Sequence, residues 1–420
     1  MSSGYRFSDY LHFGQMLWRH RARQSRWRRE YETAVAGGSF RLPFASNVTL
    51  IPTETCNLRC PMCNQWGEEG YFLRGAREAQ HMEEAGLSRL VQGLDPSTTL
   101  LSIHGGEPFG YRHIETLLGL AGERAFDVLI TTNGTLMEKH LEPLARVRNL
   151  SLLFSIDGDE ETHDRIRGAG NFQRSTEGLS ALFELRRQRG LPLPLVVMSF
   201  VVCEWTTGHI ETAYRVAREL GVFGLNYTMR YFLPAEAGEA YEKELRDLFG
   251  VQSSGAWRGW VSTSHEAHDY REGAAALARV LRRRRLSLSP PFVFVLPRNL
   301  KGSNLLRYFR DYSEVFGNES CFMPFYWARV HSNGDMIFCP GHPDIIVGNV
   351  FRDGFLEAFN SEKAVALRRH VLHSRLPICN RCCGLYITYD GRRHEQKARR
   401  ALGLGTQITG WSPSGHAERP

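Results

Sequence analysis

A chain of 420 residues with 42% apolar and 23% charged residues has the composition of a globular protein, and it is long enough for one large domain with appendages or for two to three domains. The formal net charge is +7, but residues 1–45 supply +5 of it through eight Arg against three Asp and Glu, so nucleic-acid binding is not implied for the nearly neutral remainder. The longest apolar run, residues 191–203, contains two prolines and is shorter than the roughly 20 residues that cross a bilayer, which excludes a membrane span.

The first predicted element is a basic helix in the N-terminal extension, residues 1–46. It places Leu17, Trp18 and Trp27 among arginines: Arg19, Arg21, Arg23, Arg26, Arg28 and Arg29. Such a helix could contact a membrane surface, an acidic partner or nucleic acid. Runs of charge are usually solvated faces, so we expect a surface helix whose aromatic residues pack on the outside of the main domain.

A short loop after the next predicted strand contains three cysteines, Cys56, Cys60 and Cys63, at the spacing C-x3-C-x2-C. Three thiolates are one ligand short of a closed zinc site, but they can hold three irons of a cubic cluster and leave the fourth iron open. A zinc site that takes a fourth ligand from elsewhere is the alternative. The spacing, with the bulky Met62 before the last cysteine, resembles the signature of radical S-adenosylmethionine (SAM) enzymes.

No signal peptide is visible, and nine cysteines in uneven clusters indicate metal ligation in a reducing cytoplasm.

From Asn47 onward, strand and helix patterns alternate, which predicts an α/β fold. Six strands are predicted, at 47–52, 99–104, 127–132, 150–156, 195–202 and 225–232. Five helices are predicted between them, at 83–94, 114–124, 139–148, 175–189 and 210–220. The large apolar and β-branched residues of the six predicted strands suit strands buried on both faces. Six such units with right-handed crossovers predict a partial, TIM-like (β/α)6 barrel over 47–232, with its chemistry at the carboxyl ends of the strands.

The predicted strands end in polar, glycine-containing turns. The second strand is followed by Gly105, Gly106 and Glu107. The two glycines allow the backbone to approach a ligand closely, and the carboxylate can accept hydrogen bonds from an ammonium group. The third ends at Thr132 and Asn133. Downstream of the cysteine loop, these turns resemble the motifs by which radical SAM proteins bind SAM.

The resemblance implies a contact for each part of SAM. Gly105, Gly106 and Glu107 would meet the methionyl amine. Ser155 and Arg167, at and after the fourth strand, are candidates for the carboxylate. Thr132 and Asn133 would lie near the ribose or the methionyl group, and a plain turn or helix-cap role for these two is equally open.

The pattern loosens between residues 233 and 320, where Gly- and Ser-rich pieces suggest a bridge or insertion. The segment is long for a plain connection, so it could line or cover the substrate site. His265 and His268 invite a metal interpretation, but their polar neighbourhood predicts surface residues.

Cysteines return in the segment 321–396. Cys321 and Cys339 flank a predicted hairpin that turns at Asn333-Gly334, and Cys379 and Cys382 follow a predicted helix at 356–370. The arrangement resembles the shortened, "twitch" form of the auxiliary iron–sulfur SPASM domain, which implies a second [4Fe–4S] cluster on these four thiolates. Structural zinc is the alternative, and Cys383 could replace Cys382 as a ligand. Cys203 is predicted to be a buried core residue, and 397–420 a poorly ordered tail.

The resemblance implies an enzyme that cleaves SAM reductively and uses a 5′-deoxyadenosyl radical to abstract a substrate hydrogen, with an external one-electron donor such as flavodoxin or ferredoxin. About 45 residues precede the first strand, too few for the peptide-binding winged-helix domain with which peptide-modifying relatives often begin. This favours a small metabolite, such as a sugar, an aminocyclitol or an amino-acid derivative. A second cluster near the substrate could accept the electron left after hydrogen abstraction, and we expect net oxidation or rearrangement. A peptide substrate with a separate leader-binding partner is the alternative.

A non-catalytic iron–sulfur electron carrier is the alternative from another class, although a carrier would protect its cluster with four ligands. No catalytic acid or base is identified.

Overall fold

The computed structural model describes residues 5–262, 265, 268–285, 289–297, 300, 302–318, 320–340 and 343–387. The predicted tail, 397–420, and the last part of the predicted segment 321–396 lie outside these residues.

The described chain forms a ten-stranded sheet in the order β10-β9-β8-β1-β2-β3-β4-β5-β6-β7. Its strands are β1 Asn47–Leu50, β2 Leu100–Ile103, β3 Asp127–Thr132, β4 Asn149–Ser155, β5 Leu195–Val202, β6 Gly224–Met229, β7 Phe292–Leu296, β8 Trp327–Val330, β9 Asp335–Ile337 and β10 Gly348–Asn349. Strands β1 to β7 pair in parallel along this order. The predicted α/β fold with consecutive parallel strands is confirmed.

Helices connect and cover the parallel strands. They are α1 Phe7–Ala36, α2 Glu84–Gly93, α3 Ile114–Glu123, α4 Leu141–Arg146, α5 Glu160–Arg167, α6 Asn171–Gln188, α7 Ile210–Glu219, α8 Ala235–Phe249, α9 Arg271–Arg285, α10 Leu305–Arg310, α11 Met323–Tyr326, α12 Phe355–Phe359, α13 Glu362–His373 and α14 Cys383–Ile387. The single helix predicted at 356–370 is two, because the Ser361 side chain caps a new helix by accepting a 3.1 Å hydrogen bond from the Ala364 N–H. Among the described helices, none combines the length and apolar character that crossing a bilayer requires.

Two elements extend the sheet beyond the six predicted strands. The segment 233–320 supplies β7, which pairs in parallel with β6. At the other edge, the predicted cysteine-flanked hairpin is present as β8 and β9, and β8 pairs in parallel with β1. The C-terminal segment is therefore joined by backbone hydrogen bonds to the strand that leads into the cysteine loop.

Strands β4 and β5 are buried on one face only. In β4, the apolar Leu150, Leu152 and Phe154 are buried, while alternate residues such as Ser151 and Ser155 are half-exposed. Strand β5 repeats this alternation. The expectation of burial on both faces was therefore wrong for β4 and β5, because the helices cover one face and leave the other open. We call this half-exposed side of the sheet the open face.

Helix α1 packs on the main sheet, as the surface-helix interpretation expected. The Trp27 indole N–H donates a 2.9 Å hydrogen bond to the carbonyl of Phe325. Arg19 and Arg23 form ion pairs of 2.8 and 2.6 Å with Asp127, the first residue of β3. Trp18 differs from the expectation, since it is 71% exposed.

Candidate functional site

The cysteine loop leaves the carboxyl end of β1, and its three thiols are half-buried. Backbone N–H groups of Leu58 and Trp66 each lie 3.4 Å from a cysteine sulfur, that of Cys56 and of Cys63 respectively. Burial raises the pKa of Cys56 to about 12 and raises that of Cys60. Thiolates at this site would therefore need a positive centre, and the N–H donors are placed to support them. Met62 is half-buried between Cys60 and Cys63.

Among the described residues, no three His, Cys, Asp or Glu side chains converge as the ligands of a single metal ion would. The thiolates of a four-iron cluster each bind a different iron, so they need not converge in this way.

Gly105 and Gly106 are packed against the start of the cysteine loop. A Cβ atom on Gly105 would lie 2.1 Å from the carbonyl oxygen of Thr53, and one on Gly106 would lie 2.0 Å from that of Thr55. The Gly106 N–H donates to the Thr53 carbonyl at 3.1 Å. We predicted a close approach of these glycines to a ligand; in the structure they closely approach the backbone before Cys56, which fixes the end of β2 against the loop.

Glu107 is buried between the ends of β2 and β3. Its carboxylate accepts hydrogen bonds from the Thr132 hydroxyl at 2.7 Å, the Asn133 N–H at 2.8 Å and the Phe109 N–H at 3.2 Å. Burial nevertheless raises the pKa of Glu107 to about 7. The structure therefore places Thr132 and Asn133 as partners of Glu107. The Asn133 side chain also donates to Asn57 of the cysteine loop at 3.0 Å, a contact that the sequence did not indicate.

Ser155 and Arg167 lie at the end of β4 and the end of α5. Ser155 is on the open face. The Arg167 Nε donates a 2.6 Å hydrogen bond to the buried Asp157 carboxylate. Although burial acts in the opposite direction, Asp157 and the Cys60 thiol raise the pKa of Arg167. The terminal nitrogens of Arg167 make no hydrogen bond to the described residues, so they could bind a carboxylate. The positioning role of Asp157 was missed, because a short Ile-Asp-Gly sequence also fits a plain turn.

A second missed contact joins the cysteine loop to the hairpin. The Glu54 carboxylate lies 2.7 Å from Nδ1 of His331, and both side chains are buried. Against the effect of burial, His331 lowers the pKa of Glu54. The two residues are 277 positions apart, so only the pairing of β8 with β1 brings them together.

The C-terminal cysteines form a second group of thiols. Burial raises the pKa of Cys339 to about 12 and that of Cys379 to about 11, and the charge of Cys379 acts on both Cys321 and Cys339. The thiols of Cys382 and Cys383 are in hydrogen-bond contact, which raises the pKa of Cys382 and lowers that of Cys383. Both remain candidates for the fourth ligand. Cys203 is fully buried, as expected of a core residue.

The segment 233–320 contains an aromatic cavity of about 430 Å³ beyond β6, lined in part by Phe232, Tyr270 and Phe309. His265 and His268 line it too. The prediction as a surface residue was wrong for His265, which is 5% exposed and whose ring centre lies 4.0 Å from that of Phe232, whereas His268 is half-buried. The charged residues nearby in the sequence concealed this packing.

Two segments of the chain match models of known protein families. Residues 50–217 match the radical SAM superfamily, and residues 321–383 match an iron–sulfur cluster-binding domain, SPASM. The two ranges contain the two groups of cysteines.

Curated relatives match over shorter stretches. The chain is 29% identical to the Fe-coproporphyrin III synthase of Methanosarcina barkeri, over 30% of this chain and 31% of that protein. It is 23% identical to the sporulation killing factor maturation protein SkfB of Bacillus subtilis, over 50% of each chain. The chain thus spans half or less of the length of these relatives.

Among solved structures, SuiB of Streptococcus suis bound to S-adenosylmethionine is similar, with a TM-score of 0.58, 16% identity, and coverage of 86% of this chain and 75% of that one. SuiB has also been solved bound to the precursor peptide SuiA, with a TM-score of 0.57. At this identity the likeness establishes the fold.

Proposed function

Because the chain belongs to the radical SAM superfamily and has a C-terminal iron–sulfur cluster-binding domain, we propose that it abstracts a hydrogen atom from a small metabolite, with net oxidation or rearrangement. A sugar, an aminocyclitol or an amino-acid derivative is the substrate class that we propose. The observation that most supports hydrogen abstraction with SAM is the position of the three-thiol loop, which lies beside Glu107 at the end of β2 and within electrostatic reach of Arg167 at the end of α5.

Each group of cysteines would bind one iron–sulfur cluster. Cys56, Cys60 and Cys63 would hold a [4Fe–4S] cluster with one open iron, and Cys321, Cys339 and Cys379 with Cys382 or Cys383 would hold the second cluster. When bound, the first cluster and SAM supply a 5′-deoxyadenosyl radical, for which an external one-electron donor such as flavodoxin or ferredoxin is needed. We place the enzyme in the cytoplasm.

The SAM contacts follow from charge. Glu107 is the anionic partner for the methionyl ammonium, and Arg167, fixed by Asp157, is the cationic partner for the carboxylate, with Ser155 beside it on the open face. Thr132 and Asn133 hold the Glu107 carboxylate in place. The open face of β4 and β5 is where a substrate would reach SAM, since the opposite face is closed by helices.

A peptide substrate is the second candidate. It is favoured by the similarity to SkfB, a maturation protein by name, and by the fold shared with SuiB, which was solved with a precursor peptide. The product separates the two: a metabolite reaction leaves peptides unaltered, whereas a peptide-modifying enzyme changes the mass of a precursor peptide.

The test begins with the cofactor chemistry. Anaerobically reconstituted protein is mixed with SAM and dithionite, and 5′-deoxyadenosine is measured. We expect it from the wild type and from Cys203→Ala, whose thiol is buried outside both groups, but not from a variant with Cys56, Cys60 and Cys63 replaced by Ala. A fully loaded wild type that forms no 5′-deoxyadenosine would favour the non-catalytic electron carrier.

A further inference from the structure

Arg329 lies on β8, where it pairs in register with Thr49 of β1. Directly paired residues of adjacent strands point to the same face of a sheet. The same row continues through Ser102 and Leu129 to Ser151, which is half-exposed on the open face. The Arg329 side chain therefore belongs to the open face, where we place the substrate.

Arg329 also lies between the two predicted cofactor sites. Burial lowers the pKa of His104 to about 3, and the positive charge of Arg329 acts in the same direction. Burial raises the pKa of Cys339 to about 12, and here Arg329 acts against it. Arg329 is thus within electrostatic reach of the turn before Glu107 and of the second group of thiols.

Arg329 is 8% exposed, and no described residue forms a hydrogen bond or an ion pair with it. The other buried arginines of the described chain all donate to carbonyl or side-chain oxygens: Arg23, Arg186, Arg230, Arg368, Arg375 and Arg381. A buried guanidinium without a hydrogen-bond acceptor is costly, and it is normally satisfied by a paired anion. The thiols of Cys383, Cys382 and Cys339 act on Arg329 through their charge, but none of them accepts a hydrogen bond from it. The exception at Arg329 therefore indicates a partner that is not part of the protein.

Two further polar atoms close to Arg329 in the chain lack a partner among the described residues. They are Nε2 of His331 and the hydroxyl of Ser332. His331 is two residues beyond Arg329, and its other ring nitrogen is held by Glu54 at 2.7 Å. The carboxylate fixes the ring and leaves Nε2 available. Three buried residues with unsatisfied polar groups thus lie within four positions at the end of β8.

We propose that Arg329 binds an anionic group of the substrate, a carboxylate or a phosphate, with His331 and Ser332 as further hydrogen-bond partners. The proposal rests on the function proposed above, and it narrows the substrate class to anionic molecules. The carboxylate of SAM is a separate anion, because Arg167 follows β4, four strands from β8 in the sheet.

Inorganic phosphate serves as the probe. The iron-loaded, dithionite-reduced protein is titrated against phosphate, and the broadening of the phosphorus NMR line by the paramagnetic protein is measured. We expect Arg329→Gln to weaken phosphate binding by roughly 10- to 100-fold and Arg329→Lys to weaken it less, because lysine keeps the charge. Arg352→Gln is the control, since Arg352 is exposed and pairs with Asp353.

Three results would overturn the proposal: equal phosphate binding by wild type and Arg329→Gln; loss of iron from Arg329→Gln with phosphate binding unchanged, which would assign Arg329 to the second cluster; or a parallel loss of SAM affinity, which would assign it to the SAM carboxylate. The function proposed above fails separately, if the wild type forms no 5′-deoxyadenosine. In that case phosphate binding at Arg329 would still stand as an anion site.

Discussion

The buried surroundings of Glu107 favour its protonated form when no cation is bound beside it. Burial raises its pKa to about 7, even though three donors bind it. An ammonium group beside it would stabilise the carboxylate and lower the pKa again. Glu107 would therefore bind SAM well only above the pH at which it ionises in the free protein.

We expect SAM affinity to fall as pH decreases below about 7, by roughly tenfold for each pH unit, because the ammonium must then displace a proton from Glu107. Glu107→Gln should bind SAM roughly 10 to 100 times more weakly at pH 8 and lose this pH dependence. Equilibrium binding of SAM to iron-loaded protein measures both effects. Glu123→Gln, an exposed change at the end of α3, is the control. A wild-type affinity that is flat between pH 6 and 8 would contradict the role of Glu107.

At this scale the sequence predicts residues that are part of a local pattern. The three cysteines, Gly105, Gly106 and Glu107 could be selected because their spacing or turn chemistry is visible within a few positions. Asp157 beneath Arg167 and His331 beside Glu54 could not be selected, because their roles depend on contacts that the folded chain creates.

At the scale of elements, long-range pairing decides where the C-terminal hairpin lies. Its turn at Asn333-Gly334 was readable from the sequence, but its position beside β1 was not, since parallel neighbours carry no local signal for each other. Strand β7 was missed for a similar reason: the short apolar run at 292–296 lies in a segment without a clear rhythm, and only pairing with β6 defines it as a strand.

A buried ion pair joins helix α1 to the start of β3. Asp127 and Arg23 each have side chains that are 4% exposed. We expect Asp127→Ala to lower the free energy of unfolding by about 3–5 kcal/mol, because it leaves Arg23 buried without a counter-charge. Glu142→Ala removes the exposed partner of Arg189 and should cost less than about 1 kcal/mol. Urea denaturation of the two variants compares them, and equal small losses would show that α1 is held by its apolar contacts alone.

At the scale of the molecule, one sheet connects the two thiol groups. Cys56 follows β1, Cys339 follows β9, and β8 lies between these strands in the sheet. The contact between Glu54 and His331 joins the same two regions through side chains. A centre bound at Cys321, Cys339 and Cys379 would therefore be fixed relative to the cysteine loop by backbone pairing as well as by packing.

This arrangement predicts two centres that can be emptied independently. Anaerobic reconstitution should give about eight irons per chain, from two four-iron clusters. Replacing Cys56, Cys60 and Cys63 by Ala should leave about four irons and a four-iron spectrum, because the second group of thiols is not altered. Replacing Cys321 and Cys339 should also leave about four irons, but with a lower melting temperature, since these cysteines flank the hairpin that pairs with β1. Cys203→Ala should keep about eight. Iron and zinc analysis with electron paramagnetic resonance measures each outcome. A colourless triple variant with stoichiometric zinc would show that the second centre is structural zinc, because a zinc site keeps its metal without iron or colour.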